Sequence, residues 1–166
     1  ARAPRNPVVS AFGKLKEPVL YVTGALRALG AQSDGVDPIS RVRAMGQDVY
    51  ASPTVFNYYP ADYVVPGTEL AGPPFGIFDA TTYFTRANWA YNQLTLAASC
   101  TGNVCGPAPD TSVVNAVGTR VDYTALAAIA ADPAALVDRV DDLLLQKSMS
   151  RFMRQQIINA VAAYPS

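Results

Sequence analysis

The sequence predicts a mainly α-helical, irregular multi-helix domain with a long Pro/aromatic-rich loop and little or no β structure. Three observations predict it. Apolar residues recur at helical spacing in the first, middle and last parts of the chain. Acid-proline pairs, which suit a helix N-terminus, stand before several of those stretches. One central segment carries too many prolines for either a long helix or an inner strand. No alternation of strands and helices of the kind that builds a parallel sheet is present.

Residues 1–16 are rich in proline and base, with Arg2, Arg5, Lys14 and Lys16, and read as an extended arm or severed linker. A single helical domain is expected over 17–166. Its first helix opens at Glu17-Pro18, runs through Val19, Val22, Leu26 and Leu29, and stops at Gly30. Asp37-Pro38 reads as the next N-cap and first-turn proline, for a short helix through Ile39, Val42 and Met45 that ends at Gly46. Residues 47–76 hold five prolines and six aromatics. So long a loop must either pack down on the helices or offer its rings to a partner. Asp79 caps an expected central helix over 79–98, with Tyr83, Arg86, Trp89, Leu94 and Ala97. Val113, Val114, Val117 and Val121 give a weak strand pattern. Asp122 is expected to cap a helix through Leu126 and Ile129, and Asp132-Pro133 one through Leu136, Val140 and Leu143. Ser148 is expected to cap a last helix carrying Met149, Met153, Ile157, Val161 and Tyr164 on one stripe.

Composition narrows the functions available. Half of the 166 residues are hydrophobic and 13 basic residues balance 13 acidic ones, which argues against disorder. A zero formal net charge argues against a general nucleic-acid binder, which needs clustered cations. No uncharged apolar run approaches the roughly 20 residues of a membrane span. The chain has no histidine, which removes Ser-His-Asp and Cys-His nucleophile systems and His-ligated zinc. No cofactor or metal is implied. Cys100 and Cys105, separated by Thr-Gly-Asn-Val, can turn back into a disulfide that pins a local loop. Two free thiols are the alternative, and an oxidising, extracytoplasmic compartment is favoured. No Met opens the chain, so a processed or excised piece of a longer protein is expected.

Met45-Gly46-Gln47, followed by Ala51-Ser52-Pro53-Thr54-Val55-Phe56-Asn57-Tyr58-Tyr59-Pro60, resembles a bacterial family called "domain of unknown function eighteen hundred". Gly24 to Gly30, Pro66-Gly67-Thr68, Pro74-Phe75-Gly76-Ile77, Arg86-Ala87-Asn88 and Leu136-Val137-Asp138-Arg139 carry the resemblance further, over about residues 8–165. The chain resembles the C-terminal portion of these longer proteins and lacks their N-terminal His- and Arg-bearing motif. The resemblance implies an exported, mostly helical fragment and transfers no activity. Ala51 and Ala61 stand where the family pattern has proline.

The aromatic loop is the first candidate site. Phe56, Tyr58, Tyr59, Tyr63, Phe75 and Phe78 could stack on sugar rings, with Asn57, Asp62 and Glu69 bonding hydroxyls. Alternatively, the same rings fill grooves between helices. Asp62 with Glu69, or Asp48 with Asp79, could pair as acid and base for glycoside hydrolysis, although no carboxylate cluster stands out and no residue is assigned a catalytic role. Arg86, inside an otherwise apolar helix, must be paired. It reads as a structural anchor for the proline-rich loop, with an anion site as the alternative, and Arg27 invites the same reading. Asp138, Asp141 and Asp142 face Arg151 and Arg154 as solvated patches across a helical hairpin, with calcium ligation weakly supported. These residues point to a non-catalytic interaction module with extracellular polysaccharide as its ligand. The alternatives are a structural part of a larger protein whose chemistry lies elsewhere, and an acid-base hydrolase.

Overall fold

The computed structural model describes residues 14–95 and 100–163. The arm expected over 1–16 lies outside them except for its last three residues, as do the readings on Ala97 and Tyr164. The described residues form six α-helices and a small four-stranded antiparallel sheet. Mainly helical is correct, and "little or no β structure" is corrected by that sheet.

Helix α1 (Pro18–Ala28) starts at its expected proline and buries Pro18, Val22 and Leu26 on one face. It ends where Gly30 takes a φ of 67°, with the Ala31 N–H returning to the Leu26 carbonyl at 2.8 Å. Strand β1 (Gln32–Ser33) follows. Helix α2 (Val36–Ala44) begins earlier than expected. Gly35, at φ 85°, is the N-cap, and Asp34 accepts the Val36 N–H at 3.0 Å. Asp37, expected as the cap, lies inside the first turn and pairs with Arg41 at 2.9 Å. The helix stops at Gly46, φ 89°, as its sequence suggests.

The segment after Gly46 is irregular up to a short 3-10 turn, Pro73–Ile77. Helix α3 (Ala80–Thr95) is held at its start by a reciprocal pair. Asp79 Oδ1 accepts the Thr82 N–H at 2.7 Å and Thr82 Oγ1 accepts the Asp79 N–H at 2.8 Å.

The sheet was hard to foresee because three of its strands have only two residues, too few to show a period of two. Cys100 and Cys105 form a disulfide across the hairpin of β2 (Cys100–Thr101) and β3 (Val104–Cys105). β3 pairs with β4 (Thr119–Asp122), and β4 pairs with β1. Gly106 allows this closeness, since a Cβ there would lie 1.8 Å from the Thr119 carbonyl oxygen. In β4, Thr119 and Val121 point inward. Val113, Val114 and Val117, expected as strand residues, lie outside it.

Helix α4 (Thr124–Ala127) has Tyr123 at its N-cap, one residue beyond the expected Asp122, which instead accepts the Thr124 N–H at 2.8 Å. Asp132 caps α5 (Pro133–Val140) as expected, accepting from Ala134 and Ala135. A π turn, Asp141–Leu145, continues it. The last helix, α6 (Arg151–Ala162), is capped by Ser150, which accepts the Met153 N–H, and not by Ser148, whose hydroxyl bonds the Leu145 carbonyl. Of the acidic and basic patches, one pair meets across this hairpin, Arg154 bonding both oxygens of Asp138, whereas Asp142 pairs with Lys147 and Asp141 accepts the Met149 N–H. Val22, Leu26, Val42, Met45, Trp89 and Val121 form one buried cluster between α1, α2, α3 and β4.

Candidate functional site

The aromatic loop leaves the core at Asp48. Its first turn is built by Thr54, whose hydroxyl accepts the Phe56 N–H and donates to the Asn57 carbonyl, each at 3.1 Å. Asn57 takes a φ of 79°, a left-handed conformation that asparagine tolerates better than most residues. Farther on, Val64 and Ala71 bridge, and the Gly72 N–H returns to the Tyr63 carbonyl at 2.9 Å. Gly76 lets the loop fold back on itself, because a Cβ there would lie 2.9 Å from that of Tyr59.

One tyrosine hydroxyl closes the loop on its own start and a second fastens it to α1. Tyr58 donates to the Asp48 carbonyl. Tyr59 donates to Glu17 Oε2 at 2.5 Å, and that same oxygen accepts from Gln47 Nε2 at 2.8 Å. Gln47 in turn takes the Val19 N–H on Oε1 at 2.8 Å, so the start of α1, the end of α2 and the loop share one polar knot. Burial, and then the bond to Glu17, push the Tyr59 hydroxyl up to about 12. The folded state therefore holds this proton more tightly than the unfolded chain. The stability gained is full below pH 10 and is lost as pH rises through about 12.

Between the first turn and the knot lies an open groove of about 490 Å³, lined among others by Phe56, Asn57, Tyr58, Tyr59 and Asp62. Phe56, Asn57, Tyr58, Tyr59 and Asp62 thus share one concavity, whereas Phe75, Phe78 and Glu69, also expected to meet a ligand, do not line it. Tyr63 is apart from it, with its ring against Gly76. Phe56 is 79% exposed and carries the groove's most accessible ring, whereas Tyr58 and Tyr59 are half-buried. Pro53, Thr54, Pro60 and Ala61 complete the lining and were not singled out from sequence. Glu17 and Gln47 were missed as anchors, since nothing in their local sequence indicates that Glu17 bonds Tyr59, 42 residues on, or that Gln47 bonds back to Glu17 and Val19.

Of the carboxylates considered as acid and base, Asp62 is in the groove and Glu69 does not line it. Asp48 pairs with Arg43 at 2.9 Å and Asp79 caps α3. Asp34, Asp79, Asp110, Asp122 and Asp138 all have carboxyls held below their ordinary value by hydrogen bonds they accept. Such shifts keep a carboxylate ionised, the opposite of what a general acid needs near neutral pH. Among the described residues no three His, Cys, Asp or Glu side chains converge as a metal site, and no helix is long and apolar enough to cross a membrane.

The structural anchors are placed differently from one another. Arg86 is buried, and its Nη1 donates to the Lys16 carbonyl at 2.8 Å, in the segment before α1 and not in the proline-rich loop. Its guanidinium also lies 5.2 Å from the Phe78 ring, just beyond that loop. Arg27 is exposed in the last turn of α1, where a cation suits the negative end of the helix.

The family model described as "Protein of unknown function (DUF1800)" matches residues 2–166, and the chain belongs to that family. No curated protein and no solved structure matches it.

Proposed function

We propose that this chain is a non-catalytic binding module of an exported bacterial protein, and that its aromatic-loop groove takes extracellular polysaccharide. One observation carries the proposal. Phe56, Tyr58 and Tyr59 wall the same groove, with Asn57 and Asp62 beside them as hydrogen-bonding groups. Apolar ring faces suit the C–H faces of pyranoses, and an amide and a carboxylate suit their hydroxyls. The bonds from Tyr58 to Asp48 and from Tyr59 to Glu17 hold those rings in place before a ligand arrives, which lowers the ordering cost of binding.

The test is retention of the purified protein on a panel of insoluble and soluble polysaccharides. Phe56→Ala is the sharper variant, because the exposed ring has no tether to the frame. It is expected to weaken retention on the preferred glycan on the order of tenfold. Tyr58→Ala/Tyr59→Ala, checked for folding by circular dichroism, is expected to abolish it. Retention on no glycan, or equal retention by Phe56→Ala, overturns the proposal.

A second reading has an observation of its own. Tyr83 and Phe84 on α3 and Phe152 on α6, the last 76% exposed, put large apolar surfaces in water. Faces of this kind suit a structural part of a larger protein, where other polypeptide covers them. A chain that retains no glycan favours this reading.

A further inference from the structure

Arg86 is the most anomalous side chain of the molecule. It is 6% exposed, with Nη1 bonded to the Lys16 carbonyl and its guanidinium carbon over the rings of Tyr21 and Phe78, at 5.5 and 5.2 Å. Its other two nitrogens, Nε and Nη2, are buried without a hydrogen-bond acceptor. In a planar guanidinium these two present parallel N–H groups along one edge, the edge that grips both oxygens of a carboxylate. The same molecule shows that grip elsewhere. Arg154 uses Nε and Nη2 to hold Asp138 Oδ1 and Oδ2 at 2.6 and 2.8 Å.

None of the chain's 13 acidic residues, all of which lie among the described residues, forms an ion pair with Arg86. Desolvation lowers its pKa, while contact with two ring faces offsets only part of the cost of burying a charge. One turn along α3, Trp89 Nε1 is also buried without an acceptor, and the Tyr21 ring touches both side chains, 5.3 Å from the Trp89 ring.

We propose that Arg86 is a receptor for a carboxylate from outside this chain, taken bidentately on its Nε–Nη2 edge. A monoanionic carboxylate matches the single positive charge. A phosphate dianion would leave net charge among the rings of Tyr21, Phe78 and Trp89, which is unfavourable. Entry requires the groups that bury this edge to move aside. The carboxylate comes either from a free small organic acid or from an acidic side chain of a partner polypeptide.

Trp89 is the chain's single tryptophan, so its fluorescence reports from beside the site. The protein is titrated at pH 7 with sodium acetate, and separately with a short glutamate-containing peptide, each against sodium chloride of equal ionic strength. A saturable change in emission with a carboxylate and none with chloride is expected. Saturation by acetate assigns the site to free small acids, and saturation by the peptide alone assigns it to polypeptide side chains. Arg86→Lys keeps the charge but loses the parallel N–H pair, and is expected to weaken the response at least tenfold, whereas Arg154→Lys leaves it unchanged. Should Arg86→Lys fail to fold, nitrogen-15 NMR of the unaltered protein serves instead, with the Arg86 Nε–H signal expected to shift and exchange more slowly as the carboxylate is added. No saturable change in emission together with an unmoved Nε–H signal overturns the proposal. So does an equal response to inorganic phosphate, which would mark a site for charge alone.

Discussion

The part of the molecule built from α1, α2, α3 and β4 and the part built from α5, the π turn and α6 are stabilised by different means. The first holds Val22, Leu26, Val42, Met45, Trp89 and Val121 in one buried cluster. The second buries Val137 but no residue of the π turn or α6. Its order rests on polar devices: the Asp132 and Ser150 caps, the bond from the Met149 N–H to Asp141, and the Arg154–Asp138 fork. Apolar burial contributes in proportion to the area removed from water, whereas caps and exposed pairs contribute modestly. The first part should therefore open only with the whole chain, and the second should open locally.

The largest expected effect comes from breaking the first part. Met45 is fully buried, and Met45→Ala should cost about 3 kcal/mol of global stability, read from urea unfolding. Amides of α1, α3 and β4 should all lose exchange protection together. Loss confined to α2 would show that the cluster is not one cooperative unit.

A smaller effect sharpens the contrast from the other side. Asp132 accepts from two backbone N–H groups at the start of α5, at 2.9 and 3.1 Å. Asp132→Ala should cost about 1 kcal/mol. That cost should appear as faster amide exchange in α5 and α6, with α1 and α2 unaffected. A uniform loss throughout the molecule would merge the two parts into one.

Helix ends were legible where a first-turn proline, a left-handed glycine or a capping aspartate stands at the end itself. Glu17-Pro18 opened α1, Gly30 and Gly46 closed their helices, and Asp132-Pro133 opened α5. They were misplaced where two neighbours compete. Gly35 took the cap of α2 because Asp34 bonds the Val117 and Gly118 N–H groups on one oxygen and the Val36 N–H on the other. Ser150 displaced Ser148 by two residues because the chain passes through left-handed turns at Gln146 and Lys147 first. The sheet was invisible because its strands depend on partners distant in sequence, such as Ser33 with Thr119. The groove was half legible. Its aromatic residue types announce themselves, but which rings face the solvent is decided by Glu17 and Gln47, whose bonds to the loop and to α1 have no local signature. The opposite holds for Arg86. Burial in an apolar helix was readable, whereas the unpaired edge could be found only by locating all the acidic residues.

The smallest effect tests whether the exposed fork secures the second part at all. The hydrogen bond from Arg154, and then its charge, hold the Asp138 carboxyl below its ordinary value of 3.8. The folded state thus releases this proton more readily than the unfolded chain. The contribution of the pair is complete above about pH 3.8 and is lost as pH falls through the lowered folded value. Asp34, Asp79, Asp110 and Asp122 shift in the same direction outside the hairpin, so global unfolding against pH would mix all five. Amide exchange in α6, followed from about pH 5 down to about pH 2 and corrected for the intrinsic rate, leaves those four out, and comparison with Asp138→Asn separates the pair from Asp132, Asp141 and Asp142 of the same hairpin. In the unaltered protein α6 should lose protection over that interval relative to α1. In Asp138→Asn, which carries no titrating group there, protection should be lower at pH 5 and change less on acidification. If α6 of Asp138→Asn follows the same acid dependence as the unaltered protein, the fork does not hold the hairpin, and the caps at Asp132 and Ser150 must do so without it.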